Sequence, residues 1–276
     1  PIYAMSLGSK ELFHSNFWAW LMRKNPYMIN VFFDGTIKSV EKVDDSGSFV
    51  INGNKVNPGK LIQREDKNRD ITINLSNGVY VIENKIKTLP YKEQLLKYQY
   101  SEKNFKMGCY TGLENPKFAE SEVTFEIKKK LRTEKFEHKK WHFLNYQDIS
   151  KKILSIIDKH EFFSDFEESI IKQYCYDISD LNCIISEKLK KDKNSFAFET
   201  DKNLAEIGLD DVYKKLEADK IMREIESHIK IKDKTESGFT FKIEKNFSHN
   251  MPLLSFKYIY KYTNSDKNVY SIGVQI

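Results

Sequence analysis

Asp70, Glu83 and Lys85, followed by Gln94 and Tyr98, are the residues of this chain whose types and spacing can do chemistry. The sequence around them is apolar and alternating. Asp70-Ile71-Thr72-Ile73-Asn74-Leu75 has the period of two of a half-buried strand, and Val79 to Ile86 is a second β-rich run. Asn77-Gly78 between them is a strong hairpin signal. Taken as a two-residue turn, it sets Asp70 opposite Lys85 and Thr72 opposite Glu83, so these four share one face of a sheet. Ile71, Ile73, Leu75, Tyr80 and Ile82 then cover the other face. Asp70 and Glu83 become diagonal neighbours, roughly 7–8 Å apart at Cα. Two carboxylates so placed repel unless a cation lies between them. A divalent ion with hard oxygen ligands suits that gap, and Mg2+ needs only one or two carboxylates beside water and phosphate.

Any one Asp, Glu or Lys on a solvent-facing strand is ordinarily just a wet surface. The combination reads differently, because Val79 and Val81 lie on the face of Glu83 and Lys85 and the strand is expected to be covered on both sides. A buried mixed-sign triad costs several kcal/mol unless it is paired or metal-bound. The functional reading is therefore preferred.

Asp70, then Glu83-Asn84-Lys85, then Gln94-Leu95-Leu96-Lys97-Tyr98 resembles the PD-(D/E)XK nuclease superfamily. More narrowly, it resembles the bacterial subfamily whose second motif strand ends in Ile-Glu-Asn-Lys and whose next helix carries Gln-x-x-x-Tyr. Glu11-Leu12-Phe13-His14-Ser15, running on to Ala19-Trp20-Leu21, is similar to that subfamily's opening helix. The resemblance covers roughly residues 9–150, with one departure: Asp70 follows Arg69 rather than a proline.

The resemblance implies roles. Asp70 and Glu83 would be metal ligands, joined by the backbone carbonyl of Asn84, with Glu11 reaching in from the first helix to complete the site. Lys85 would orient and help activate the attacking water, and Gln94 would hold water, the metal shell or a phosphate oxygen. Mg2+ or Mn2+ is the implied ion, neutralising charge that grows on the phosphoryl oxygens. A lysine in such desolvated surroundings can have a depressed pKa and serve in proton transfer. Gln94 and Tyr98, four residues apart, share a helix face, and Thr88 and Pro90 supply start signals for that helix, whose N-terminus would favour a phosphate.

Some candidates have a plainer alternative. Glu11, close after Ser9, could be a first-turn acid that only complements a helix dipole. His14 shares Glu11's face and is ranked with Tyr98 as supporting, since a lone histidine there is more often a core hydrogen bonder. Glu65 is a weaker candidate. Arg64 and Arg69 flank the site and Lys87, Lys92 and Lys97 follow it, so positive charge gathers where a phosphate backbone would lie; Arg69, Lys87 and Lys92 are the expected phosphate contacts.

Composition bounds the rest. With 276 residues there is ample core for one large domain or two modest ones. A net charge of +5 leans only weakly toward a polyanion partner. No apolar run approaches the roughly 18 residues of a membrane span. The first residues lack a signal-peptide pattern, and Cys109, Cys175 and Cys183 show no zinc spacing, so a reducing cytoplasm is expected. Three cysteines are too few for the usual four-cysteine iron–sulfur cluster, so no Fe–S cluster is expected.

In chain order, a helix is expected over residues 9–24, strands near 37–43 and 61–65, the hairpin, a helix over 90–105, and strands at 107–111 and 141–144. This order matches the restriction-endonuclease-like αβββαβ core that the resemblance implies, an α/β fold of α+β type with a mixed sheet. Residues 112–140 are a charged excursion, loop or helix. Beyond a core at 1–150, an accessory region is expected over 151–276: helices at 147–158, 165–191 and 204–229, then strands at 239–243, 253–260 and 269–276 forming a small antiparallel sheet. The stripe of Ile170, Ile171, Tyr174, Ile178, Leu181, Ile185 and Leu189 reads as packing. Tyr258, Tyr260 and Tyr262 could stack bases or be one face of an ordinary strand. The abrupt apolar end at Ile276 hints at a shortened C-terminus. The expected function is metal-dependent hydrolysis of phosphodiester bonds in nucleic acid, with DNA as the first choice. The alternative is a catalytically inactive nucleic-acid-binding or assembly module on the same fold. A protein-interaction scaffold built on the C-terminal helices is a third reading, and homo-oligomerisation is left open.

Overall fold

The computed structural model describes residues 2–43, 48–86, 92–114, 124–127, 132–135, 140–190, 201–228, 239–246, 253–261 and 269–275, with side chains described at 11–43, 48–86, 94–114, 140–190, 201–221 and Glu224. The chain divides into two compact units, Pro1–Lys191 and Asp192–Ile276.

In the first unit the opening helix α1 spans Ile2–Lys24. His14, Trp18, Leu21 and Met22 recur at helical spacing and are buried. The helix stops where Pro26 cannot continue it, and the Asn25 side chain accepts the Tyr27 N–H at 3.0 Å to cap the next turn. After the short helix α2 (Ile29–Phe32) comes a small antiparallel sheet of β1 (Val40–Lys42), β2 (Phe49–Ile51) and β3 (Asn54–Val56). Asn52 (φ 50°) and Gly53 (φ 81°) make its tight turn, as two left-handed residues do in a two-residue hairpin.

The short helix α3 (Pro58–Leu61) leads into the main sheet through β4 (Ile62–Arg64), β5 (Ile71–Leu75) and β6 (Gly78–Asn84). Helix α4 (Lys92–Ser101) follows, then β7 (Phe105–Gly112). Strands β8 (Thr124–Ile127) and β9 (Arg132–Lys135) pair antiparallel within the excursion that the sequence left open. Strand β10 (Trp141–Asn145) and helices α5 (Tyr146–Ile157) and α6 (Asp165–Lys190) complete the unit. The five-stranded sheet runs β10-β7-β6-β5-β4, with β4, β5 and β6 antiparallel and β6, β7 and β10 parallel. This is the expected αβββαβ order with one more strand. The compact unit extends through α5 and α6, helices assigned on sequence to the accessory region; α5 packs on β10, and α6 packs on α5 and α1.

Both faces of β6 are covered. Val81 packs with Leu95, Leu96 and Tyr98 of α4 and with Tyr110 and Trp141, while α1 lies on the opposite face. Gly108 makes room for Trp141 on the neighbouring strand, since a Cβ there would meet the indole ring at 2.4 Å. Tyr80, on the α1 side, packs edge-on to Phe33 at 4.9 Å.

The hairpin register differs from the expected one. Leu75 pairs with Gly78, so Ser76-Asn77 forms the turn and Gly78 (φ 140°) opens β6. The residue leading into β7 explains why. The Val79 N–H donates to the Asn104 carbonyl at 2.9 Å, and a Cβ at Gly78 would meet that same oxygen at 2.9 Å. Gly78 is needed beside a crossing backbone rather than inside the turn. The shift is two residues, so every side chain keeps its expected face. Thr72 now opposes Val81, and one step further along that register Asp70 opposes Glu83 rather than Lys85.

The second unit holds α7 (Lys202–Glu206), α8 (Asp210–His228) and an antiparallel sheet of β11 (Phe239–Asn246), β12 (Leu253–Lys261) and β13 (Val269–Gln275). The single helix expected over 204–229 is broken at Gly208 (φ 67°), where the Leu209 N–H turns back to the Leu204 carbonyl at 2.8 Å.

Candidate active site

The C-terminal end of β6 delivers Glu83 and Lys85 to one face and Asn84 to the other, as strand alternation requires. Glu83 is 1% exposed. Its Oε1 accepts from Lys85 Nζ at 2.7 Å and from Gln94 Nε2 at 2.6 Å, while its Oε2 is buried with no hydrogen-bond partner among the described residues. Asp70, at the entrance to β5, accepts the Asn84 backbone N–H on Oδ2 at 2.7 Å, a bond that ties the ends of the two strands together. Gln94 and Tyr98 do share a face of α4. Gln94 Nε2 lies 2.7 Å from the Tyr98 hydroxyl, which in turn donates to the Asn68 carbonyl at 2.6 Å.

Glu11 comes from the opposite layer. Helix α1 begins near Ile2, so Glu11 sits well inside it and is no first-turn dipole partner. Its carboxylate meets the end of the strand: Oε1 accepts the Ile86 N–H at 3.2 Å, and Oε2 lies 3.8 Å from Lys85 Nζ. Asn84 is fully buried behind the site. Its Nδ2 donates to the Glu11 carbonyl at 3.0 Å, and its Oδ1 accepts from Thr111 Oγ1 at 2.8 Å and from the Tyr146 hydroxyl at 2.7 Å.

The electrostatics follow from this packing. Burial, then the neighbouring Asp70 charge, pushes the Glu83 carboxyl up to about 7 despite Lys85 beside it. Burial also raises Asp70, against the pull of the Asn84 N–H and Lys85. For Lys85, burial opposes its charge, but Glu83 and Glu11 outweigh burial and hold it above its ordinary value, the reverse of the depressed pKa expected. In this arrangement Lys85 is an ammonium between carboxylates. Tyr98 is pushed up to about 12 by burial and the Glu83 charge.

Other expected residues fall elsewhere. His14 is buried, 3.0 Å from the Tyr174 hydroxyl through Nδ1, with its ring 5.1 Å from that of Tyr146; burial lowers its pKa to about 3. It therefore stands behind Asn84 as a neutral packing residue. Arg69 is a correction. Its side chain is fully buried, bonded to Ser101 Oγ at 2.9 Å and Glu102 at 3.3 Å, so it braces α4 instead of facing a phosphate. Arg64 is the arginine held at Asp70: it donates to the Asp70 carbonyl through one amino group and to Asn16 Oδ1 of α1 through Nε at 2.8 Å. Glu65 is mostly exposed and in the left-handed region (φ 54°), outside the cluster. Lys87, Thr88, Pro90 and the side chain of Lys92 lie outside the described residues, as do the side chains of Tyr258, Tyr260 and Tyr262. Tyr146 and Thr111 were missed by sequence reasoning; nothing local to either residue marks it as a neighbour of Asn84.

Hard oxygen ligands fit this place. Glu83 Oε2 is a buried acceptor without a hydrogen-bond partner among the described residues, and the Asp70 and Glu11 carboxylates lie near enough to raise the Glu83 pKa. Among the described residues no three Asp, Glu, His or Cys side chains are gathered tightly enough to hold an ion by themselves. Mg2+ does not require that, because it keeps waters and takes phosphate oxygens.

A sequence model of the PD-(D/E)XK nuclease superfamily matches residues 2–176, a span that contains every residue of the cluster. The chain belongs to the PD-(D/E)XK nuclease superfamily. Neither a curated protein nor a solved structure matches it. PD-(D/E)XK nucleases generally use divalent metals and act on nucleic acid, and the mixed five-stranded sheet is consistent with their restriction-endonuclease-like fold. No helix among the described residues is long and apolar enough to cross a membrane.

Proposed function

We propose that this chain is a Mg2+- or Mn2+-dependent nuclease that hydrolyses phosphodiester bonds, with DNA as its substrate. The observation that carries this reading is the buried, unpartnered Oε2 of Glu83 in a cluster with Asp70, Glu11, Lys85 and Gln94. An unsatisfied buried acceptor costs about 1–3 kcal/mol, and here it lies beside two further carboxylate-bearing residues and a lysine. Retaining it is consistent with a ligand that arrives with function.

Asp70, Glu83 and Glu11, with the Asn84 carbonyl, would hold the divalent ion. When bound, the ion supplies charge neutralisation at the phosphoryl oxygens and acidifies water. The protein's own groups do the rest. Lys85, held as an ammonium at the mouth of the cluster, places positive charge against the phosphate and orients the attacking water. Gln94 has one amide hydrogen on Glu83 and fixes the carboxylate's rotamer, and Tyr98 holds Gln94 in turn. Arg64 ties the Asp70 backbone to α1 and limits drift of the entrance to β5.

The test is cleavage of single- and double-stranded DNA and RNA with Mg2+ or Mn2+, comparing wild type with Asp70→Ala and Lys85→Ala. Cleavage that needs metal and is lost in both variants supports the reading. Binding without cleavage under any metal favours a binding module on this fold, and equal activity in wild type and variants would remove the site assignment.

A further inference from the structure

We propose that the Asn84 side chain is a positioning residue that docks helix α1 against β6 and so sets the Glu11 carboxylate at the site. The inference rests on the proposed metal site and concerns a group that does not face it. Asn84 points to the opposite side of the strand from Glu83 and Lys85, is fully buried, and uses both ends of its amide.

The two ends do different jobs. The Glu11 carbonyl can only accept, so the end of the amide that faces α1 must be Nδ2, and Thr111 Oγ1 of β7 and the Tyr146 hydroxyl of α5 then donate to Oδ1. Nδ2 is thereby aimed at α1, where it donates to the main-chain carbonyl of Glu11 at 3.0 Å. That carbonyl lies in the helix interior and also accepts from Ser15 Oγ at 2.6 Å, so Asn84 adds a further donor to an oxygen the helix already uses. The bond is made to the residue whose side chain must reach the site. Holding the Glu11 backbone leaves its carboxylate only its own rotamers to settle, and the Ile86 N–H takes up Oε1 at 3.2 Å. On the other side of the same residue, the Asn84 backbone N–H holds Asp70 Oδ2 at 2.7 Å. One asparagine therefore fixes the spacing between the carboxylate of α1 and that of β5. Aspartate, serine or an apolar residue cannot reproduce this, since the position needs one donor and a doubly used acceptor in a single planar group.

The experiment is a double-mutant cycle between Asn84→Ala and Glu11→Gln, read as the Kd for Mn2+ by isothermal titration calorimetry and as kcat and KM for DNA cleavage. Each single variant is expected to weaken Mn2+ binding roughly 10–100-fold, as loss of groups that orient metal ligands does. The double variant is expected to bind no worse than the weaker single, because Asn84 acts through Glu11. A purely structural Asn84 would lower the melting temperature and leave Mn2+ affinity as in wild type, and that result overturns the proposal. So does a double variant whose loss is the product of the two single losses. Should Asn84→Ala fail to fold, Tyr146→Phe removes one of the two bonds that aim the amide while keeping the ring; it should weaken Mn2+ binding about 3-fold and lose that effect in a Glu11→Gln background. An effect that persists in that background also overturns the proposal. Asp70→Ala separates the two readings. If it abolishes Mn2+ binding while Asn84→Ala does not alter it, the metal site stands and the role of Asn84 falls. If wild type binds no Mn2+, both fall.

Discussion

The two faces of the end of β6 are built by opposite rules. On one, Glu83 and Lys85 are charged, crowded by Asp70 and Glu11, and leave a buried oxygen without a partner. On the other, Asn84 is neutral and bonded at both ends of its amide. Neighbouring residues at the end of one strand thus separate the proposed metal-binding role from packing. The first face keeps electrostatic strain that a ligand can relieve, and the second supplies hydrogen bonds that hold the strained face in place.

Variants on the charged face should break that separation most visibly. Asp70→Asn keeps an acceptor for the Asn84 N–H and removes one of the carboxylates crowded about Lys85. Cleavage is expected to fall on the order of 10²–10³-fold, as for removal of one preorganised electrostatic group, and chelation of the metal by EDTA should abolish it in wild type. The melting temperature of Asp70→Asn should rise, and a fall would show that the carboxylate crowding is not a strain. Asn84→Ala should do the reverse for stability. Leaving Thr111 Oγ1 and the Tyr146 hydroxyl without their acceptor costs about 3 kcal/mol, or roughly 6–12 °C in melting temperature by differential scanning calorimetry.

A smaller effect lies one layer deeper, at His14. Its folded pKa is about 3, below the unfolded value near 6.5, so the unfolded chain takes up the proton first. Above pH 6.5 His14 is neutral in both states and adds nothing. As the pH falls from there toward 3, stability declines by about 1.4 kcal/mol per pH unit from this group. Urea melts at pH 7 and pH 5 should therefore differ by about 2 kcal/mol more in wild type than in His14→Gln. The smallest change is expected far from both faces. Lys152 pairs with the exposed Asp34 at 2.7 Å, and Lys152→Ala should alter stability by under about 0.5 kcal/mol in the same melts.

Sequence reasoning reached the charged face more completely than the neutral one, and the reason is range. Asp70, Glu83 and Lys85 lie within one hairpin, where alternation alone assigns faces, and a register error of two residues left those faces unchanged. Gln94 and Tyr98 are one helical turn apart and could be placed together by spacing. The neutral face draws on Thr111, Tyr146 and Tyr174, whose strands and helices are separately legible but whose meeting depends on sheet order and helix packing. Arg69 misled for a related reason: its position beside Asp70 suggested a phosphate, but adjacent residues of extended backbone point apart, and its guanidinium went to Glu102 and Ser101. The Asn-Gly pairs show the same limit. Asn52-Gly53 forms the tight turn that its sequence suggests, whereas Gly78 answers to the Asn104 carbonyl of a later segment.

The Asp70–Asn84 bond closes a loop of 14 residues, whereas Asn84 reaches Tyr146 across 62, Glu11 across 73, and His14 reaches Tyr174 across 160. Short loops close faster and at less entropic cost than long ones. The hairpin can therefore bring Asp70 and Glu83 together early, while the grip on Glu11 waits for the sheet and for α5, and the backing of His14 waits for α6. During synthesis, a ribosome-bound chain that has not yet exposed Tyr146 already carries the acidic hairpin and the lysine, yet lacks the hydroxyl that orients Asn84. Completion of the site is thereby tied to completion of the unit that contains it.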